Sequence, residues 1–201
     1  RYQVRAEPTQ RRWLFSLDVP FPIYGDVALA KDMRLVANRP VSERFAYRVE
    51  SVPAVAEEID LTRLERQLML SIPEDAGVKA RGLAQQWRLE SPSAEGIAQR
   101  ALQYFREQPF HYTLRPPRLA MDPVDDFLFR SRRGFCEHYA SSFTFLMRAA
   151  GVPARVVVGY QGGERNELGS HLLVRQYDAH AWSEIWLENK GWTRVDPTAA
   201  V

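Results

Sequence analysis

The stretch Arg133-Gly134-Phe135-Cys136-Glu137-His138-Tyr139-Ala140-Ser141-Ser142-Phe143 decides how the rest of the chain is read. It holds the only cysteine, with a glycine just before it where a chain must turn sharply into a helix. From Ala140 the apolar positions Phe143, Met147 and Ala150 recur at the spacing of one helical face, until Gly151-Val152-Pro153 stops them. Cys136 is therefore expected in the first turn of a helix. A thiol there meets unpaired backbone N–H groups and the positive end of the helix dipole, both of which favour the thiolate. A lone cysteine beside aromatics is ordinarily a small buried hydrophobe. Its standing as a nucleophile thus depends on its partners.

Downstream the pattern is that of strands. Ala154 to Tyr160 is a valine-rich run suited to the centre of a sheet. Gln161 to Ser170 is polar and glycine-bearing, the composition of a mobile loop beside a site. His171 to Tyr177 and His180 to Leu187 read as strands, and Glu188-Asn189-Lys190-Gly191 closes a hairpin into Trp192 to Thr198. A thiol nucleophile needs an imidazole within reach and a third group to fix that ring's tautomer. Of His111, His138, His171 and His180, His138 is a poor base, because two positions along a helix its side chain points elsewhere. His180 and Asp196 lie on neighbouring strands of one hairpin. Simple pairing leaves them about three residues out of register, roughly 10 Å, so a bulge or a diagonal contact is implied.

Upstream, helices fill the middle of the chain. Asp60 is expected to cap a helix whose apolar stripe is Leu61, Leu64 and Leu68; a second covers Ala76 to Trp87; a third starts at Ser91-Pro92 and carries Ile97, Ala101, Leu102 and Phe105. Pro109 to Pro123 is a proline-rich connection holding His111 and Tyr112. Residues 1 to 58 read as a small antiparallel unit of about four strands, from the alternation at Tyr2-Val4-Ala6, Trp13-Phe15-Leu17-Val19 and Phe45-Tyr47-Val49, with a further candidate from Met33 to Ala37 and proline punctuation that includes Pro53. The fold class expected is α+β, with the chemistry in a core over residues 59–201.

Composition narrows the function. The 201 residues are 45% apolar, 11% aromatic and carry a net charge of +2, which describes a packed globular chain. No basic cluster is interleaved with aromatics, so no nucleic-acid partner is expected. No apolar run reaches the length of a membrane span. The start at Arg1, with no leader, reads as a piece of something longer or a processed product. A single cysteine excludes an internal disulfide. No calcium-loop pattern or Cys/His cluster is present, so no cofactor and no metal are expected.

Three blocks together resemble a known family. Gly134-Phe135-Cys136-Glu137-His138-Tyr139-Ala140, then Ala179-His180-Ala181-Trp182-Ser183-Glu184-Ile185-Trp186, then Gly191-Trp192-Thr193-Arg194-Val195-Asp196-Pro197-Thr198 are similar to those of the transglutaminase-like, papain-related thiol enzymes. The spacings, 44 residues from Cys136 to His180 and 16 from His180 to Asp196, suit compact bacterial members. Asp122-Pro123-Val124-Asp125-Asp126-Phe127-Leu128 is similar to the membrane-anchored bacterial branch, whose domain faces the periplasm. The resemblance implies a papain-like core in which Cys136 is nucleophile, His180 general base and acid, and Asp196 the orienting carboxylate. It implies acyl transfer from a protein or peptide glutamine amide to an amine acceptor, with a cysteine peptidase or amidase on cell-envelope peptides as runner-up and a non-catalytic scaffold third. It also implies that the parent protein is membrane-anchored, although this segment has no span.

Overall fold

The computed structural model describes residues 1–22, 25–52 and 60–201, which divide into two compact units, Arg1–Ala56 and Glu57–Val201. Pro53 and the boundary expected after residue 58 lie outside the described residues. The architecture is α+β, helices with mainly antiparallel sheets.

In the first unit, six described strands form two three-stranded antiparallel sheets. Strands β1 (Tyr2–Ala6), β6 (Phe45–Val52) and β3 (Val19–Pro22) make one in that order; β2 (Trp13–Leu14), β5 (Leu35–Ala37) and β4 (Val27–Leu29) make the other. The continuous run expected over Trp13 to Val19 is broken in two. The Tyr47 hydroxyl captures Phe15, accepting from its N–H at 2.9 Å and donating to its carbonyl at 2.7 Å, and Asp18 turns at φ 35°. Both groups would otherwise have joined a ladder. Leu14, Leu35, Val41, Tyr47 and Val49 are buried together as this unit's core.

The second unit is built on one helix. Helices α1 (Arg63–Leu70), α2 (Val78–Glu90) and α3 (Ala94–Glu107) lead through β7 (His111–Tyr112), the short α4 (Pro123–Asp125), a π-helical turn over Asp126–Ser131 and β8 (Arg133–Gly134) to α5 (Cys136–Ala149). Then come β9 (Ala154–Tyr160), the small hairpin β10 (Glu164–Arg165) and β11 (Leu172–Leu173), and the hairpin β12 (Ala179–Leu187) and β13 (Gly191–Val195). A buried cluster that includes Trp87 of α2, Phe105 of α3, Phe127 of the π-helical turn, Tyr139, Phe143 and Leu146 of α5 and Ile185 of β12 holds helices to sheet.

Several expected details move. The cap of α1 is Thr62, not Asp60: Thr62 Oγ1 accepts from Glu65 N–H, and the Glu65 carboxylate accepts from Thr62 N–H at 2.9 Å, a reciprocal pair that an aspartate two residues earlier is too far away to make. Leu64 and Leu68 of the apolar stripe are 66% and 55% exposed, so this helix turns much of it to the surface. Ser93, not Ser91, caps α3, because its hydroxyl reaches Gly96 N–H at 3.1 Å. The valine-rich β9 lies at an edge, in the order β13-β12-β9, with Val156 and Val158 exposed. Only Leu172 and Leu173 of the expected His171–Tyr177 strand pair, and their partners Glu164 and Arg165 come from the Gln161–Ser170 stretch expected to be a mobile loop.

Candidate active site

The proline-rich connection is tied to the turn before Cys136 by a two-residue parallel ladder, with His111 opposite Arg133 and Tyr112 opposite Gly134. Thr113 N–H extends it by donating to Gly134 carbonyl at 2.7 Å. Gly134 is required by packing, since a Cβ there would come within 2.6 Å of His138 and 2.9 Å of Phe127. Phe135 is the residue before the helix, and its N–H is taken by His138 Nδ1 at 3.3 Å. His138 therefore secures the helix start, as a glutamate does in a capping box, and is not presented as a base. Phe135 and Phe127 flank its ring, at 4.5 and 5.5 Å.

Burial holds the His138 pKa below the usual histidine value, with Glu137 opposing. A depressed folded-state pKa means that the contribution of the neutral ring is present above the unfolded value, about 6.5, and is lost as pH falls through the folded value. We expect the thermal midpoint of the wild type to drop on acidification below pH ~6.5, and the drop to be smaller in His138→Gln, which keeps an acceptor that does not titrate. Differential scanning calorimetry of both proteins across that range checks it.

Cys136 opens α5 at 8% exposure and packs against Ala140 of its own helix and Ala181 of β12. Strand β12 alternates. Ala181, Ser183, Ile185 and Leu187 are buried towards α5, and His180, Trp182 and Glu184 take the other face. Two buried hydroxyls fasten strand to helix: Ser183 Oγ donates to Ala140 carbonyl at 3.0 Å and lies 3.1 Å from Thr144 Oγ1. Cys136 is thereby set beside the residue that follows His180.

The β12–β13 register ends at Ser183 opposite Val195, which leaves Asp196 two residues short of His180 on the same face, so the contact is diagonal and no bulge intervenes. His180 Nε2 meets Asp196 Oδ2 at 2.6 Å. The carboxylate's other oxygen accepts from Thr198 N–H at 3.2 Å and Thr198 Oγ1 at 2.6 Å. Burial works against charge on Asp196, but the bonds from Thr198 and His180 outweigh it and hold the carboxyl below its ordinary range. Thr198 was not singled out by sequence reasoning, although an Asp-Pro-Thr turn that opens a helical turn was its signal.

Tyr112 completes the group. It lies beside Cys136; burial, then the neighbouring Cys136, raises its pKa. Its ring stacks on Tyr139 at 6.2 Å. Trp182 stacks on His180 at 6.2 Å, while Trp186 and Trp192 pack edge to face on each other. Among the described residues, no group of three or more His, Cys, Asp or Glu side chains is placed to hold a metal ion.

Residues 81–197, more than half the chain, match the core domain of the transglutaminase-like superfamily. The chain belongs to that family. Residues 1–57 match the TgpA N-terminal domain. Among curated proteins, a protein-glutamine gamma-glutamyltransferase of Pseudomonas aeruginosa is 45% identical over the whole chain, and an uncharacterized protein of Bacillus subtilis, YebA, is 29% identical over 98% of it. The chain spans less than a third of the length of either relative, 30% and 28%. The crystal structure of the periplasmic domain of TgpA from Pseudomonas aeruginosa, bound to ethylmercury, superposes at a TM-score of 0.95 with 45% identity, over 99% of this chain and 72% of that one. This transglutaminase-like chain is thus the counterpart of a periplasmic domain, and none of its described helices is long and apolar enough to cross a membrane. A candidate cysteine protease from Cytophaga hutchinsonii shares the fold at a TM-score of 0.54 and 17% identity, over 98% of this chain and 70% of that one.

Proposed function

We propose that this domain is a thiol-dependent acyltransferase of the protein-glutamine gamma-glutamyltransferase type. The observation that carries the reading is the 2.6 Å pair between His180 and Asp196, anchored next to a buried cysteine at a helix N-terminus. Cys136 is the nucleophile, His180 the base and acid, and Asp196, held by Thr198, the group that fixes the imidazole with Nδ1 towards sulfur.

His180 takes the thiol proton as Cys136 sulfur attacks the γ-carbonyl of a glutamine side chain, and the carbonyl electron pair moves onto oxygen. Donors aimed at that oxygen stabilise it. The Cys136 backbone N–H at the helix start and the Tyr112 hydroxyl beside Cys136 are proposed as two of them. Collapse expels ammonia, which leaves with the proton held on His180, and gives a thioester. A primary amine then attacks, His180 removing its proton, and the amide product leaves with the sulfur regenerated. If water takes the amine's place, the same residues perform hydrolysis. The donor and acceptor are proposed to be protein or peptide groups of the cell envelope, on the periplasmic side of a membrane-anchored parent protein. The likeness to the Pseudomonas periplasmic domain supports that placement.

The test is incubation with a glutamine peptide and a labelled primary amine, followed by mass spectrometry. Amine incorporation is expected for the wild type and only background for Cys136→Ala. Cleavage of the peptide or release of free glutamate, with no incorporation, would make the domain a hydrolase. A Cys136 that reacts with iodoacetamide no faster than a free thiol would make it a non-catalytic scaffold. Because Cys136 is the one thiol, prior treatment with ethylmercury, which the Pseudomonas domain binds, is expected to abolish incorporation.

A further inference from the structure

The outer face of the terminal hairpin carries a layered arrangement that the proposed chemistry does not use. The Arg194 guanidinium lies over the Trp182 indole at 4.3 Å, and the other partner of that indole is the His180 ring, at 6.2 Å and only 22° from parallel. Arg194 stands opposite Glu184 in the ladder, where a cross-strand ion pair is the ordinary outcome. Glu184 is taken by Arg155 instead, at 2.6 Å. Arg194 leans the other way, with Nη2 at 3.5 Å from Asp196 Oδ2 and 3.2 Å from Gln161 Oε1. Room for the indole comes from Gly159, the partner of His180 on β9, where a Cβ would come within 2.9 Å of the Trp182 ring.

We infer that Arg194 is a positioning residue, which clamps Trp182 against the His180 ring and so holds the imidazole in the plane that joins Asp196 to the thiol. The inference rests on the acyl-transfer reading for its kinetic consequence, though not for its structural one. Half-exposed, Arg194 gains little from its long contact with Asp196 as an ion pair. Its flat guanidinium acts by stacking, and a lysine ammonium does not reproduce that plane. Gln161, where the chain leaves β9 for the β10–β11 hairpin, fixes the outer edge of the guanidinium. Thr198 and Arg194 thus constrain the same imidazole–carboxylate pair from two sides, one through the carboxylate and one through the ring.

The test pairs a substrate-free reading with a kinetic one. NMR of the His180 ring protons in the whole domain is expected to show them shifted in Arg194→Met, because the indole no longer lies over the ring. In the amine-incorporation assay, kcat is expected to fall about 10- to 100-fold, with KM within about twofold, and Arg194→Lys to recover only part of the loss. Unchanged ring resonances together with unchanged kcat in Arg194→Met would overturn the inference. Should Arg194→Met fail to fold, Gln161→Ala serves. A smaller shift of the same resonances is expected there, and none would overturn the inference. The ring signal needs no substrate. A wild type that transfers no acyl group would therefore sink the proposed function and leave the clamp testable, whereas an active wild type with an unmoved ring would sink the clamp alone.

Discussion

Asp196→Asn is expected to lower kcat/KM for amine incorporation by about 10²–10⁴-fold while leaving the fold intact. The size follows from what the carboxylate does. In the proposed triad, Asp196 Oδ2, 2.6 Å from His180 Nε2, takes the proton there and so leaves Nδ1 to serve the sulfur. An asparagine amide is close in shape and keeps an acceptor for Thr198, whose N–H and hydroxyl both bond Oδ1. It can present an N–H to the imidazole instead of an acceptor, and so favour the wrong tautomer. The steady-state rate should therefore collapse while the thermal midpoint moves little. Asp196→Ala should cost as much in rate and more in stability, since it leaves the Thr198 hydroxyl without its carboxylate. Single-turnover acylation, read as ammonia release, separates the step concerned. The loss should fall on acylation, where the imidazole must accept the thiol proton, and an unchanged acylation rate in Asp196→Asn would remove Asp196 from the site.

Asp196 also shows how far the sequence could be read. The two-residue turn arithmetic put it three positions out of register with His180, and the structure puts it two positions out, on the same face of the sheet. The difference arises at the turn, where Asn189 takes a positive φ of 64° and an odd residue is absorbed. A position short by an even number shares a face and reaches diagonally; one short by an odd number does not. The helix that opens at Cys136 was legible because glycine, helical spacing and the Gly151-Val152-Pro153 stop all act locally. The place of β9 was not. A valine-rich strand is equally suited to a sheet centre and to an edge, and only the order β13-β12-β9 decides. Likewise Leu61, Leu64 and Leu68 give the helix but not what covers it. Burial is a property of the neighbours, not of the period. Tyr112 lay within reach of sequence reasoning as one side chain of the connection able to donate to an oxyanion, against the commoner role of a tyrosine that only packs. What singles it out is the parallel bridge to Gly134, a pairing of residues 22 apart along the chain that no local signal marks.

The same limit explains the Asp122-Pro123-Val124-Asp125-Asp126 run, which leads into the cysteine block and looks from its charge like a functional cluster. Each carboxylate is consumed as a fastening. Asp122 Oδ2 accepts from Gly77 N–H at 2.7 Å, and Asp126 is bonded by Ala120 N–H at 2.8 Å and by the Arg130 guanidinium. Asp125 accepts from Lys79 N–H at 2.8 Å and Ala80 N–H at 2.9 Å, one oxygen to each. It thus caps the first turn of α2 from 45 residues away, where the sequence offers only Gly77 and no side-chain cap of its own. Asp125→Ala is expected to destabilise the domain by about 2–4 kcal/mol. Two N–H groups at a helix start lose a charged acceptor, each bond of that kind contributing roughly 1.5–3 kcal/mol, and water regains the exposed one. For a domain of this size that corresponds to a thermal midpoint lower by roughly 4–15 °C. Asp125→Asn, which keeps one acceptor oxygen and loses the charge, should fall between. Denaturant and thermal unfolding of the three proteins check the order. An Asp125→Ala domain as stable as the wild type would mean that packing of α2 against α5 alone sets that helix, and that the acidic run needs another explanation.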